Sequence, residues 1–142
     1  MKKPDFKNHA ENEFRFLVER FGFTSKYEVN EAKSYPESSV ERVQYTSRNV
    51  IVEVSYSGRG ELDVTLDENP PSHTFELGSF LRVFHPEVWK ACGSGIAYSD
   101  DDVRRELQHL SVNLQRYGMP ILEHDRQVFD KMKTFKWWET PS

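Results

Sequence analysis

Hydrophobic and polar residues alternate most regularly between residues 50 and 66, where the sequence is VIVEVSYSGRGELDVTL. The even-numbered residues of both halves are apolar or aromatic outside the central turn, whereas the odd-numbered positions include Glu53, Glu61 and Asp63. A period of two is typical of a β-strand with one buried face. The segment is therefore predicted to be a β-hairpin with an apolar inner face and an acidic outer face.

The parity of this hairpin limits its register. Directly opposed residues of an antiparallel pair point to the same face. The inward residues are even-numbered on both strands, so each opposed pair joins two even-numbered positions. An odd number of residues separates two such positions, so the loop must have an odd length. We expect Val54 opposite Leu62 and Glu53 opposite Asp63, with a three-residue turn that begins at Ser57. Two opposed carboxylates are mildly unfavourable, so a basic side chain of the neighbouring strand is expected to offset them. The candidates on that strand or beside it are Arg42 and Arg48.

The chain before the hairpin is predicted to hold one helix and two strands. Apolar residues at helical spacing indicate a helix over Ala10–Phe21, and Gly22 follows where a C-terminal cap belongs. Strands are expected over Phe23–Val29 and Glu41–Ser47, separated by a loop over residues 30–39 that is rich in serine. The hairpin then supplies the third and fourth strands.

Three helices are predicted after the hairpin. Thr74 is expected to cap the first, which ends at Phe84, and residues 86–99 are expected to be mostly irregular. Ser99 and the aspartates after it indicate the start of a second helix, which Gly118 ends. Pro120 suits the first turn of the last helix.

Strands and helices that are segregated along a chain in this way indicate an α+β fold. We expect an N-terminal helix, an antiparallel sheet of about four strands, and three helices packed on the Val/Leu/Tyr face of the sheet. The acidic face is expected to be exposed. With 142 residues, of which 37% are hydrophobic and 13% aromatic, the chain is long enough to fold as one domain, residues 1–142.

Composition narrows the function classes. A net charge of −4 argues against nucleic-acid binding, which needs a basic face. No stretch approaches the roughly 18 apolar residues of a membrane span, and the basic N-terminus lacks the apolar run of a signal peptide. Cys92 is the one cysteine, which suits a reducing compartment. We therefore expect a cytoplasmic protein that does not act on membranes.

Several residue types that serve in catalysis are present without a recognisable context. Cys92 precedes Gly-Ser-Gly, but a catalytic thiol needs a base and an electropositive setting. Glu106 and His109 share one helix face, yet a bundle metal site needs a second such pair. Carboxylates at Asp100–Asp102 are better explained by capping than by a bound cation. We expect no cofactor, no metal ion and no catalytic residue. A pocket between sheet and helices would draw on His73, His85, Cys92, Tyr98 and His109.

Acidic residues are concentrated in one part of the chain. No lysine or arginine occurs between Gly60 and Leu81, where the acidic residues are Glu61, Asp63, Asp67, Glu68 and Glu76. A solvated face is the usual explanation of such a run, and a docking surface for a basic partner is the alternative. The partner-binding candidates are Glu53, Glu61, Asp63, Asp67, Glu68 and Trp138. Of the adjacent pair Trp137 and Trp138, one is expected to fold back onto the domain and the other to remain for a contact.

The pattern resembles a loose set of small bacterial proteins, many of them uncharacterised and some of them immunity proteins from polymorphic toxin loci. The shared features are a helix that ends in Phe21-Gly-Phe23, a strand bearing a tyrosine, the hairpin at 50–66, and a helix that begins near Thr74-Phe75. The resemblance spans most of the chain and carries over no specific residue. It implies a stoichiometric binder that blocks a toxin.

Three functions stay open on the sequence alone. The leading one is a non-catalytic binding protein for a basic partner such as a toxin domain. The second is a small enzyme or ligand-binding domain with a pocket between sheet and helices. The third is a homo-oligomeric interaction module that buries the tryptophan end of the chain.

Overall fold

The computed structural model describes residues 3–31, 34–35, 39–92 and 95–135. Its five strands are β1 (Thr24–Asn30), β2 (Val40–Thr46), β3 (Val50–Ser57), β4 (Leu62–Glu68) and β5 (Phe75–Glu76). Its helices are α1 (Phe6–Glu13), α2 (Arg15–Glu19), α3 (Leu77–Phe84), α4 (Pro86–Lys90), α5 (Asp100–Tyr117), α6 (Met119–Leu122) and α7 (Arg126–Thr134). Trp137 and Trp138 lie outside the described residues.

The strands form one antiparallel sheet in the order β1-β2-β3-β4-β5, so each strand pairs with its neighbour in sequence. The α+β class, the N-terminal helix and the antiparallel sheet are confirmed. The sheet has five strands and not four, because Phe75 and Glu76 add a short edge strand opposite Leu66 and Thr65. Two residues are too few to show an alternation in the sequence.

The apolar face of the hairpin forms one side of the hydrophobic core, as expected. Its inward residues are all buried: Val50, Val52, Val54, Tyr56, Leu62, Val64 and Leu66. Helix residues from both ends of the chain join the same cluster. Polar contacts tie the layers together, since Tyr45 Oη donates to Ala10 O at 3.4 Å and Ser111 Oγ donates to Glu13 O at 2.6 Å.

The predicted register of the hairpin is wrong by two residues, although its odd loop length is confirmed. Val54 lies opposite Val64, and the three-residue loop is Gly58-Arg59-Gly60. Gly60 decides the register, because the last position of such a loop is left-handed and Gly60 has a φ of +82°. Ser57 Oγ supports this turn by accepting hydrogen bonds from the amides of Arg59 and Glu61, both at 3.2 Å.

This register separates the two carboxylates that we expected to oppose each other. Glu53 lies opposite Thr65, and Asp63 lies opposite Ser55. The Nε of Arg42 approaches Glu53 Oε1 at 3.3 Å from the neighbouring strand. Arg42 therefore compensates Glu53, whereas Asp63 receives no such neighbour from the hairpin.

Local hydrogen bonds move several helix boundaries away from those expected. The first helix begins earlier, at Phe6, because Asp5 caps it by accepting from the Asn8 amide at 3.4 Å, and it is interrupted at Phe14. Thr74 does not cap α3, since its hydroxyl donates to Asp67 Oδ2 at 2.8 Å. The segment expected to be irregular contains α4, which starts with Pro86 at its first position.

The C-terminal helices confirm one predicted cap and reveal another. Ser99 Oγ accepts from the Asp102 amide at 3.1 Å, and α5 ends at Gly118 as predicted. The predicted last helix is divided into α6 and α7, because Asp125 accepts from the Gln127 amide at 3.0 Å and so starts a new helix.

Candidate functional site

A cleft of about 400 Å³ lies where the start of β4 meets α3, α4 and α5. Its charged and polar lining residues are Glu61, Asp63, Glu76, Cys92, Glu106, His109 and Asn113. Its apolar walls are formed by Leu62, Leu77, Leu81, Trp89, Ile96 and Leu110, with Gly78 and Gly95 between them. The cleft thus lies between the acidic residues of the sheet and the polar residues of α5.

Strand geometry gathers three carboxylates at one side of the cleft. Asp63 and Glu61 are two residues apart, so they point to the same face about 7 Å from each other. Glu76 lies on that face as well, because β5 places it opposite Thr65, the next outward residue of β4. Asp63 therefore has an acidic neighbour on either side.

Helix α5 supplies the opposite wall. Glu106, His109, Leu110 and Asn113 are spaced by three, one and three residues, which places them on one helix face. Glu106 adds a fourth carboxylate to the cleft. Among the described lining residues there is no lysine and no arginine, so the lining carries an excess of negative charge, although Arg82 stacks on the ring of Trp89 with its guanidinium carbon 5.3 Å from the ring centroid.

Asp63 carries the clearest electrostatic signature of the site. Burial, followed by the nearby charges of Glu76 and Glu61, raises the pKa of the Asp63 carboxyl to about 6. Within the described part of the chain, no hydrogen-bond donor or basic side chain contacts this carboxylate. The fold therefore maintains an ionised, half-buried carboxylate at a cost in stability, and an incoming cation would relieve that cost.

Asn113 lies at the inner end of the helical wall and is only 6% exposed. Its Nδ2 atom lies 3.3 Å from His109 Nε2 and 3.8 Å from Cys92 Sγ. Its Oδ1 atom receives no hydrogen bond from the described residues.

The thiol in the cleft is not activated. Burial, and then the charge of Glu106, raises the pKa of Cys92, so the thiol stays protonated at neutral pH. Its Sγ donates to Val88 O at 3.3 Å. Of the five residues named for a catalytic pocket, only Cys92 and His109 line this cleft. His85 instead packs on Tyr117, with ring centroids 4.8 Å apart.

The six predicted partner-binding residues do not form one surface. Glu61 and Asp63 line the cleft, and Glu53 lies on the outer face beside Arg42. Trp138 lies outside the described residues. Asp67 and Glu68 are occupied by internal contacts, and Asp67 is buried.

Asp67 is 5% exposed and organises the turn between β4 and β5. Its Oδ1 accepts from the amides of Glu68, Ser72 and His73 at 2.7, 3.1 and 3.0 Å. Its Oδ2 accepts from the Thr74 hydroxyl at 2.8 Å. Burial acts to raise the pKa of Asp67, but these hydrogen bonds outweigh it and hold the pKa below its usual value.

Glu68 connects the sheet to the C-terminal helices. Lys133 Nζ donates to its Oε1 at 2.6 Å, and His124 Nε2 lies 2.8 Å from its Oε2. These contacts, together with Ser72, lower the pKa of Glu68 to about 2. Its carboxylate is satisfied and has no need of an external cation.

A second hollow, of about 610 Å³, lies beside the N-terminus, but its charges are paired. Tyr27 Oη donates to Glu41 Oε1 at 2.6 Å, and His9 Nε2 lies 3.0 Å from Asp100 Oδ1. Internal compensation of this kind leaves little driving force for a charged ligand. The cleft at β4 differs because its carboxylates lack partners in the described chain.

Sequence reasoning identified Glu61 and Asp63 but missed what surrounds them. The acidic run includes Glu76 without giving it a role, and the spacing of Glu106 and His109 points only to a metal site. Gly78, Trp89 and Asn113 carried no signal of their own. The spacing of Glu106, His109 and Asn113 on one helix face was the available clue, since it shows a polar stripe beside the apolar one.

Comparison with protein-family models, with curated proteins and with solved structures gave no match. In the described residues, no three metal-ligating side chains converge in a way that would hold a metal ion. No helix within 3–31, 34–35, 39–92 and 95–135 has both the length and the hydrophobicity to cross a membrane. The function is accordingly inferred from the geometry and the charge of the cleft.

Proposed function

We propose that this chain is a non-catalytic binding protein that holds a basic segment of a protein partner in the cleft at the edge of β4. The observation that carries the proposal is Asp63, which the fold keeps between Glu61 and Glu76 without a compensating charge from the described residues. A basic side chain of a partner would supply that charge. An uncompensated carboxylate retained at a stability cost is typical of functional sites.

The cleft is suited to recognition of protein rather than of a small anion or a nucleic acid. Its negative potential would steer a positively charged surface toward it and speed association at low salt. Apolar walls around Trp89 and Leu81 offer contact area for the aliphatic part of a long basic side chain. The negative charge and the apolar contact area together favour a cationic side chain that belongs to a protein partner.

The resemblance to immunity proteins suggests which partner to test. If it holds, the partner is a basic toxin domain encoded beside this chain, and one copy of this protein blocks one toxin. We also propose a cytoplasmic location, since an unpaired cysteine suits a reducing compartment.

The test is charge reversal inside the cleft. The Glu61→Lys, Asp63→Lys double variant and the Glu123→Lys, Asp130→Lys control change the net charge equally, and the control sites lie outside the cleft. Association with the product of a neighbouring toxin gene is measured by surface plasmon resonance at low salt. We expect the cleft variant to associate at least about tenfold more slowly and the control to stay near the unmodified chain. Equal rates for both variants would remove the cleft from the interface.

The enzyme alternative has one observation in its favour, the presence of Cys92 and His109 in the same cleft. The raised pKa of the Cys92 thiol weakens it. On the binding proposal, Cys92→Ser leaves the affinity for the partner within about twofold, because the thiol contributes no charge. A Cys92→Ser variant that binds the partner but no longer protects against it would favour catalysis.

A further inference from the structure

We propose that two copies of this chain associate through β1, whose outer edge pairs antiparallel with β1 of the second copy. The two strands are centred on Tyr27, so the two sheets continue as one. Three observations support this pairing: the edge of β1 is unprotected, its charges complement those of a second β1, and the helices leave room for the second copy. The inference goes beyond the proposed function and does not depend on it, because β1 lies at the opposite end of the sheet from β5 and the cleft.

Strand β1 has one side of its backbone unpaired in the part of the chain that the structure describes. It pairs with β2 over seven consecutive residues without a bulge, and its sequence contains neither proline nor glycine. Short length, proline, bulges and uncompensated charge are the features that keep edge strands from adding another strand. At the other edge of the sheet, β5 is only two residues long and leads directly into α3. One edge is therefore protected by its shortness, whereas β1 remains able to pair.

The hydrogen-bonding pattern shows which residues of β1 direct their backbone groups to the unpaired side. The Ser47 amide donates to Val50 O at 2.9 Å, so the odd-numbered residues of β2, which continue this alternation, bond to β3. The even-numbered residues of β2 therefore bond to β1, where their partners are also even-numbered. The remaining residues, Ser25, Tyr27 and Val29, point their N–H and C=O groups outward. Each of them can exchange a pair of hydrogen bonds with a second β1.

Charge selects one register for this pairing. With the strands centred on Tyr27, Lys26 of each copy lies opposite Glu28 of the other, and all seven residues of β1 are paired. A pairing centred on Lys26 or on Glu28 would instead oppose two lysines or two glutamates. Opposite charges across an antiparallel pair stabilise it, and like charges destabilise it. Within one strand, Lys26 Nζ lies 2.9 Å from Glu28 Oε1, so the lysine charge is already compensated and does not repel a second copy.

The helices leave room beside β1 for the second copy. Helix α1 lies mainly over β2 and β3, since Tyr45 Oη donates to Ala10 O and the ring of Phe6 stacks on that of Tyr56 with centroids 5.8 Å apart. Every side chain of β1 except that of Tyr27 is exposed. In the proposed pair, the two α1 helices would lie over strands that are three positions apart, or about 14 Å. A helix with its side chains is roughly 10–12 Å wide, so the two helices do not collide.

Charge variants test both the pairing and its register. Sedimentation velocity of the full chain at low salt, over about 5–500 µM, should show a reversible dimer with a Kd of about 1–100 µM, because one strand pair buries less than a standard interface. Lys26→Glu and Glu28→Lys should each weaken self-association at least about tenfold, since each opposes like charges. Lys131→Glu, an equal charge change on α7, serves as the control and should not weaken it.

Mixing the two charge variants provides the sharpest form of this test. An equimolar mixture of Lys26→Glu and Glu28→Lys should form a heterodimer with an affinity near that of the unmodified chain, because every opposed pair again joins opposite charges. The double variant Lys26→Glu, Glu28→Lys should dimerise by itself for the same reason. Recovery of the dimer in the mixture would also show that neither single variant is misfolded.

Hydrogen exchange locates the interface without changing any charge. The amides of Ser25, Tyr27 and Val29 should become protected as the protein concentration rises, whereas protection at Lys26 and Glu28, which bond to β2, should not depend on concentration. Ser25→Pro removes one outward N–H group and should abolish the dimer. The monomer should stay folded, since proline is tolerated on the unpaired side of an edge strand.

Three results would overturn the inference. The first is a chain that stays monomeric up to about 500 µM, a concentration above the expected Kd. The second is a dimer whose affinity is unchanged in Lys26→Glu and in Glu28→Lys. The third is a dimer in which the outward amides of β1 exchange equally fast at low and high concentration. In the last two cases another surface would form the dimer.

Discussion

Replacement of Asp63 by asparagine is expected to stabilise the protein at neutral pH, which is unusual for the removal of a charged side chain. The folded state raises the pKa of this carboxyl from 3.8 to about 6. The folded protein therefore holds the proton more tightly than the unfolded chain does, and ionisation of Asp63 disfavours folding. The Asp63→Asn substitution keeps the shape of the side chain and removes this charge.

The expected gain in the free energy of unfolding follows from the pKa shift of Asp63. A rise of about two pKa units corresponds to roughly 3 kcal/mol of differential interaction. Asp63 is only partly buried, so solvent screening reduces this to about 1–2 kcal/mol. The cost is absent below about pH 4, develops as the pH rises toward 6, and is complete above that.

Urea denaturation followed by circular dichroism is a suitable assay. For a domain of this size, a gain of about 1–2 kcal/mol moves the midpoint upward by roughly 0.5–1 M at pH 7.5. The gain should vanish near pH 4, where Asp63 is largely protonated in the folded state and ionisation no longer opposes folding. Asp130→Asn, an equivalent change on the exposed side of α7, serves as the control and should leave the midpoint nearly unchanged.

Two results would refute the reasoning. One is an Asp63→Asn variant that is no more stable than the unmodified chain at pH 7.5, which would mean that the carboxylate has a compensating partner. The other is a gain of stability that is equally large at pH 4 and at pH 7.5, which would mean that the gain does not come from ionisation.

Three further outcomes are expected. Asp67→Ala should lower the free energy of unfolding by about 3 kcal/mol in urea denaturation, because it leaves three backbone amides and the Thr74 hydroxyl without their acceptor; a loss below about 1 kcal/mol would contradict the structural role. Glu68→Gln should cost up to about 1 kcal/mol at pH 7 and reduce the loss of stability on acidification, since the lowered pKa stabilises the protein above about pH 4.5 and that stability is lost toward about pH 2. Gly78→Ala should raise the melting temperature, as helix propensity gains up to about 1 kcal/mol without a clash.

The candidate site shows how far the sequence reaches. The acidic run after Gly60 correctly drew attention to Glu61 and Asp63, because alternation fixes their face. The same run included Asp67 and Glu68. In the structure, Asp67 stabilises the turn between β4 and β5, and Glu68 contacts the C-terminal helices. A sequence shows which side chains are charged but not which groups of opposite charge contact them. The basic partners of Glu68, His124 and Lys133, are more than fifty residues away.

What the sequence determined by itself is local. The period of two in residues 50–66 fixed which side chains are buried, the parity of the hairpin fixed an odd loop, and Ser99 fixed the start of α5. Each depends on neighbours within a few residues, whose backbone geometry is the same in any fold.

What only the tertiary structure decided is which distant groups meet. Gly60, rather than side-chain pairing, set the register and so placed Asp63 opposite Ser55 and not opposite Glu53. Packing of α5 against β4 then brought Glu106 and Asn113 to the carboxylates of the sheet edge. These contacts depend on the long-range packing of apolar faces. The apolar pattern of a segment does not predict which distant polar residues become its neighbours. The cleft is therefore a property of the assembled core, although every residue that lines it is visible in the sequence.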